Sequence, residues 1–124
     1  VSVRDYDVSQ ELAALLSNLA ESKVAIIVEG RKDKAALVKI GIDGSKIVVL
    51  NTKPLFVVAE AVAKDYDTAI ILTDLDAEGK KLYGKLNTLL QQLGVKVDGN
   101  VRNFLFKNTK LRQIEGITNI IRQQ

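Results

Sequence analysis

Short apolar runs recur along the chain, separated by stretches whose apolar residues fall at helical spacing. Val24-Ala25-Ile26-Ile27-Val28, Ile47-Val48-Val49-Leu50 and Ala69-Ile70-Ile71-Leu72-Thr73 read as strands. The first and third lack polar alternation, the pattern of strands buried on both faces. Upstream, Leu12, Leu15, Leu16 and Leu19 stand at i, i+3, i+4 and i+7 and predict a helix over 8–21, with Asp7 and Gln10 spaced for a capping box. A short helix over 32–40 ends at Gly41. Thr52 and Pro54 mark the start of the next, with Leu55, Val58, Ala59 and Val62 on its apolar face. Residues 78–93 form the longest predicted helix, turning Leu82, Leu86, Leu89, Leu90 and Leu93 inward before Gly94. Val101–Phe106 reads as a fourth strand at an edge, and 110–121 as a final helix weakened by Gly116. Residues 96–109 are ambiguous, because Gly99, Asn100 and Asn108 favour turns. Alternating strands and helices predict an α/β fold, a mostly parallel four-stranded sheet with helices on both faces. At 124 residues, without repeats or a long linker, the expectation is one domain over 1–124.

Candidate chemistry collects at two of the strand ends. Asp74 and Asp76 follow the third apolar run two residues apart, so an extended backbone projects both to one side. In open parallel α/β sheets that edge is where ligands bind. Two neighbouring carboxylates repel unless water or a cation separates them, and Mg²⁺ is the hard, oxygen-seeking ion that suits them. The first run ends likewise in Glu29-Gly30. Gly30 is able to take positive φ and to admit a substrate to the backbone, and the following helix N-terminus favours anions. Three carboxylates at two strand ends suggest one acidic, metal-dependent site. Glu78 adds an acidic group in reach of water-mediated metal contact, and Gly79 eases the loop into the long helix. Asp76 also suits a plain helix N-cap.

Composition narrows the chemistry. The chain has no cysteine, which excludes disulfides and thiolate sites, and no histidine, which excludes imidazole bases and ligands. No run reads as a membrane span or a signal peptide, and the expected compartment is the cytoplasm. Net charge is +3, but it is uneven: six Lys or Arg against two acids after residue 95, twelve against thirteen before it. A basic tail beside an acidic site suits a polyanionic substrate; the alternative is a solvated helix face. Aromatic residues make up only 5% of the chain, so stacking platforms for bases are scarce, and Phe104 and Phe106 are expected in the core.

Val28-Glu29-Gly30 and Thr73-Asp74-Leu75-Asp76-Ala77-Glu78-Gly79, in this order and each after a strand, resemble the signature of the Toprim domain. That module is shared by type IA and type II topoisomerases, bacterial-type DNA primases, a ribosomal-RNA-maturing ribonuclease and small stand-alone proteins. The resemblance covers about residues 22–105 and implies a compact, Rossmann-like Toprim fold. Asp33 and Leu37 extend the first motif in a form that looks like the primase and ribonuclease branches. Thr73 through Lys80 looks closest to the ribonuclease and stand-alone branch, while Glu78 is shared with topoisomerases.

The resemblance implies roles. Glu29 is expected to act as general acid or base at a phosphoester. Asp74 and Asp76, with Glu78 as auxiliary, are expected to hold Mg²⁺, with Mn²⁺ as a substitute. Arg31, Lys32 and Lys80 are expected to grip phosphates, as are Lys107, Lys110 and Arg112 in the basic tail. No tyrosine is placed on a separate domain for topoisomerase chemistry, and the chain has neither the length nor the zinc ligands for the further modules of a primase. A Mg²⁺-dependent nuclease on structured RNA or DNA is therefore expected, with RNA favoured by the ribonuclease likeness. The alternative is a non-catalytic module that binds nucleic acid or a ribonucleoprotein and retains the metal site. A haloacid-dehalogenase-type phosphatase and a receiver-type phosphoacceptor rank lower. Both place their key acids at the first strand, where this chain offers only Glu29.

Overall fold

Ala25–Val28 contains no polar side chain and is buried at every position, which requires cover on both faces. The computed structural model describes residues 3–122, with side chains described for 10–120. It supplies that cover with helices on either side of a four-stranded, all-parallel sheet. The elements run α1 (Val3–Glu21), β1 (Ala25–Val28), α2 (Arg31–Lys39), β2 (Ile47–Val49), α3 (Leu55–Asp65), β3 (Thr68–Ile71), α4 (Ala77–Gln92), β4 (Lys96–Val97), α5 (Asn100–Asn108) and α6 (Ile117–Arg122). Single 3₁₀ turns precede β2 and α6.

The strand order is β2-β1-β3-β4. Ile26 pairs with Ile47 on one side and Ile70 on the other. The chain leaves β1 for β2 on one flank and returns to β3 on the other, so the crevice between the ends of β1 and β3 is the topological switch point, where this architecture places ligands.

Alternation within each strand sorts the core into two layers. Ile26, Val28, Ile70 and Leu72 face Leu12 and Leu16 of α1, Leu37 of α2, and Val101 and Leu105 of α5. Ala25, Ile27, Ala69 and Ile71 face Val58 and Val62 of α3, and Leu86 and Leu90 of α4. Each fully buried leucine contributes on the order of 1.5–3 kcal/mol of transfer free energy. Lys46 closes the C-terminal end of α1, where its ammonium donates to the carbonyls of Ala20 at 2.6 Å and Ser22 at 2.5 Å.

Three expectations are corrected. The first helix begins at Val3, which puts Asp7 inside it rather than at its cap; the Asp7 side chain lies outside the described residues. Val101–Phe106 is not a strand but most of α5. Val101, Phe104 and Leu105 have helical spacing, and burying that stripe on α1 outweighs the β-propensity of valine and phenylalanine. The fourth strand is instead Lys96–Val97, set by pairing with Thr68 and Ala69. The final helix is shorter than 110–121: residues 109–113 are extended, Ile114–Gly116 is a 3₁₀ turn, and only Ile117–Arg122 is α-helical.

Candidate acidic site at the carboxyl edge of the sheet

Glu29 and Asp74 leave adjacent parallel strands at the switch point, and the backbone brings them together. The Glu29 carboxylate accepts a hydrogen bond from the Asp74 N–H at 2.6 Å. Burial pushes the Glu29 carboxyl above its ordinary range, against the lowering effect of that N–H. The neighbouring Asp74 carboxyl and the Asp76 charge push it further up. A carboxyl held toward neutrality beside a second carboxyl is suited to taking up and releasing a proton.

Contacts with α4, with α5 and with the segment before α6 hold the Asp74 loop. Thr73 is fully buried and donates its hydroxyl to the Gly79 carbonyl at 2.7 Å. Asp76 is the N-cap of α4, accepting from the Gly79 N–H at 2.8 Å. From α5, the Arg102 guanidinium donates to the Asp74 carbonyl at 2.9 Å and lies 4.5 Å from the centre of the Tyr83 ring. Burial lowers the Arg102 pKa, while Tyr83, Glu29, Asp74 and Asp76 favour its charge. The extended segment before α6 completes the enclosure. The Leu75 N–H donates to the Arg112 carbonyl at 2.6 Å, and the Ile114 N–H donates to Asp74 Oδ1 at 2.9 Å.

Glycine enters this site in two ways. A Cβ at Gly79 would lie 1.9 Å from the Asp74 carbonyl oxygen, so close approach of α4 to the loop demands glycine there. Gly30 was expected to supply positive φ, but its φ is −140°, extended backbone open to any residue. The first turn is held instead by Asp33, buried, whose carboxylate accepts from the Gly30 N–H at 3.0 Å. Burial raises the Asp33 pKa, with the charges of Asp74 and Glu115 adding to the effect against the backbone N–H groups of Gly30 and Glu115.

The predicted residues divide into groups. Glu29, Gly30, Arg31, Lys32, Asp33 and Asp74 line one cleft of about 400 Å³ with Asn51, Gln113 and Glu115. Asp76 is exposed at the mouth of a larger groove alongside. Glu78 is exposed in the first turn of α4. Lys80 stands over the Phe106 ring, Lys110 and Arg112 border the larger groove, and Lys107 is exposed on α5. Among the described residues, no three acidic side chains converge as ligands for a single ion. The donor set nevertheless suits Mg²⁺: Asp74 and Asp76 each commit Oδ1 to a backbone N–H and keep a second oxygen, and Mg²⁺ characteristically takes one or two carboxylates and retains water.

Four features escaped sequence reasoning. Arg102 was counted only as part of a basic tail; the helical spacing of Val101, Phe104 and Leu105 around it was the available signal. Asn51 and Thr52 both have positive φ, 44° and 65°, beside the acidic cleft, and Asn51 donates its N–H to the Glu29 carbonyl at 3.0 Å. The tolerance of asparagine for the left-handed region was a weak hint; a β-branched threonine there is an outlier. Phe106 is not in the core but 44% exposed, whereas Phe104 is buried as expected. The Ile114 N–H on Asp74 had no sequence signal, because a backbone donor belongs to every residue but proline.

Comparison with known proteins agrees with this geometry. The Toprim domain family matches residues 24–106. UPF0292 protein PH1700 of Pyrococcus horikoshii is 41% identical over 107 residues, covering 86% of this chain and 79% of that protein. UPF0292 protein MJ1624 of Methanocaldococcus jannaschii is 33% identical, covering 85% and 83%. A solved structure of a protein from Aquifex aeolicus superposes with a TM-score of 0.71 at 32% identity, over 89% of this chain and 94% of the other.

Proposed function

This chain belongs to the Toprim domain family, and on that premise we propose that it is a Mg²⁺-dependent nuclease acting on structured RNA or DNA. The observation that carries the reading is the Glu29–Asp74 pair at the switch point, with Glu29 held above the ordinary carboxylate range. Family membership associates the chain with metal-dependent chemistry on nucleic acid; cleavage, and RNA as the favoured substrate, belong to this proposal. The preference for RNA rests on the likeness of the Glu29–Leu37 motif to the ribonuclease branch.

In this reading Asp74 and Asp76 would hold Mg²⁺ through the oxygens not committed to backbone N–H groups. When bound, the ion polarises a phosphoryl oxygen and offsets developing negative charge. Glu29 moves the proton at the reacting oxygen, its raised proton affinity bringing it nearer to neutral pH. The Asp74 N–H orients the Glu29 carboxylate, and Arg102 fixes the loop that carries that N–H. Arg31 and Lys32, in the first turn of α2, attract the substrate phosphates. Glu78 is left as an outlying acidic group with at most a water-mediated part.

Incubation of labelled structured RNA, single-stranded DNA and duplex DNA with Mg²⁺, Mn²⁺ or EDTA tests this. Cleavage is expected with either metal and none with EDTA, and Glu29→Gln is expected to slow it by about 10²–10⁴. Cleavage unaffected by EDTA or by Glu29→Gln overturns the assignment. One observation favours a non-catalytic module instead: the Ile114 N–H already occupies one oxygen of Asp74. Metal-dependent binding without cleavage of any substrate is the outcome that reading expects.

A further inference from the structure

We propose that the groove between α2 and the extended segment before α6, together with the exposed Phe106 ring, forms a binding track for a single strand of nucleic acid. The track builds on the reading of the acidic site as one that acts on nucleic acid, and it narrows the substrate to an unpaired segment.

The groove has a volume of about 790 Å³, within the roughly 300–1,000 Å³ of pockets that take organic ligands and more than a lone phosphate requires. Lys32 and Lys39 border it on the α2 side, and Lys110 and Arg112 on the other. Its floor is apolar, with Ala36 and Leu111 buried beneath it. Asp76 stands at its edge, so whatever lies in the groove abuts the acidic site. Four cations against the carboxylates Asp76 and Glu115 leave the lining net positive, complementary to a phosphodiester chain rather than to a cationic or neutral ligand.

Arg112 connects this groove to an aromatic surface. Its guanidinium donates to the Leu111 carbonyl at 2.8 Å and lies 5.6 Å from the centre of the Phe106 ring. Lys80 Nζ stands 4.8 Å from the same centre. Phe106 is a half-exposed ring with two cations standing over it, so an unpaired base would stack by taking the place of a cation on the ring while the cations turn to its flanking phosphates. Lys80 follows Asp76 by one helical turn, and its N–H donates to the Asp76 carbonyl at 3.0 Å. Groove, Arg112, ring and Lys80 thus border the Asp76 end of the acidic loop.

Strandedness follows from the same features. Bases in a duplex are already paired and stacked, so an exposed ring offers them nothing further. The groove's second wall, residues 110–119, lies beyond the stretch matched to the Toprim family. Lys32, Lys39, Asp76, Lys80 and Phe106 lie within that stretch, so the track joins the family core to the segment that follows it.

Fluorescence anisotropy in EDTA, with labelled RNA and DNA oligomers of roughly 12 nucleotides presented single-stranded or as duplexes, separates binding from cleavage. Single strands are expected to bind at least about tenfold tighter than duplexes, and the RNA and DNA arms identify the preferred sugar. Lys39→Gln with Lys110→Gln is expected to flatten the log–log salt dependence for single strands by about 1.4, or 0.7 per lost phosphate contact. Phe106→Leu is expected to weaken single-strand binding by about fivefold or more, and abasic substitution in the oligomer to cost the wild type a similar factor but the variant little. Duplex binding as tight as single-strand binding, or an unchanged salt slope, overturns the track. Single-strand binding without cleavage in Mg²⁺ sinks the nuclease reading and leaves the track standing; cleavage with an unchanged salt slope does the reverse.

Discussion

The turn after β1 and the turn after β3 each deliver a carboxylate and each contain a glycine, yet they are built by opposite means. In the first, Gly30 has extended backbone, and the nearest atom to an added Cβ is the Asp33 carboxylate at 3.9 Å. One side chain, Asp33, ties that turn to α2. In the second, Gly79 has no room for a side chain, and the loop is fastened by Thr73, Asp76, Arg102 and the Ile114 backbone together. A glycine beside a carboxylate of the candidate site thus has two meanings. At Gly79 it permits backbone to touch backbone; at Gly30 it leaves an approach open while the fold itself tolerates a larger residue. The more tightly built turn carries the Asp74 and Asp76 pair, consistent with a site in which two charges must keep a set separation.

Substitutions separate the two turns. Gly79→Ala is expected to destabilise the protein by about 3 kcal/mol or more, since α4 must shift to relieve a backbone clash. Gly30→Ala is expected to change stability by less than about 1 kcal/mol. Urea unfolding of both variants measures the contrast, and equal effects would mean that the turns are not distinguished by packing. Arg102→Met removes the donor to the Thr73 and Asp74 carbonyls while keeping the side-chain volume. Its expected cost is about 1–3 kcal/mol, the penalty for a buried acceptor left unpaired, read in the same unfolding experiment. Asp74→Asn retains an oxygen for the Ile114 N–H but loses the charge. Mn²⁺ titration is expected to show affinity lower by about tenfold, or 1.4 kcal/mol, and equal binding in wild type and variant counts against Asp74 as a ligand.

The smallest effect distinguishes Glu29 by pH. Its folded-state pKa lies above the ordinary value. Below the ordinary pKa both folded and unfolded chains carry the proton and the group has no ionisation cost. As pH rises through the folded pKa, the fold must accept a charge that burial and two acidic neighbours oppose, and that share of stability is lost. Glu29→Gln therefore raises the melting temperature relative to wild type in metal-free buffer at neutral pH, with the gain vanishing in acid. A gain that grows toward acid pH would reverse the assigned shift.

The strand ends that carry Glu29 and Asp74 are legible from residues alone, because short, β-branched apolar runs such as Ala25–Val28 that end at turn residues have the pattern of strands buried on both faces. The long helix after Asp76 is legible for a similar reason: Leu86 and Leu90 repeat at helical spacing and are fully buried, although Leu93, expected inward, caps the helix and is 39% exposed. The region after residue 95 is less so. Lys96–Val97 is too short and too polar to show a period, and only the exposed edge of β3 makes it a strand. Val101–Phe106 mixes β-favouring residue types with helical spacing, and the available surface on α1 decided between them.

The sequence by itself determined which residues must leave water and which acidic groups stand at the ends of buried strands, because burial and periodicity act over neighbouring positions. Tertiary structure alone decided that Glu29 and Asp74, 45 residues apart, share a hydrogen bond. It alone placed the Ile114 N–H on Asp74, set Arg102 beneath the acidic loop, and left Phe106 half-exposed with Lys80 and Arg112 over its ring. Those contacts depend on which strand edges and helix faces meet, and much of the bonding is done by backbone groups that every residue type shares.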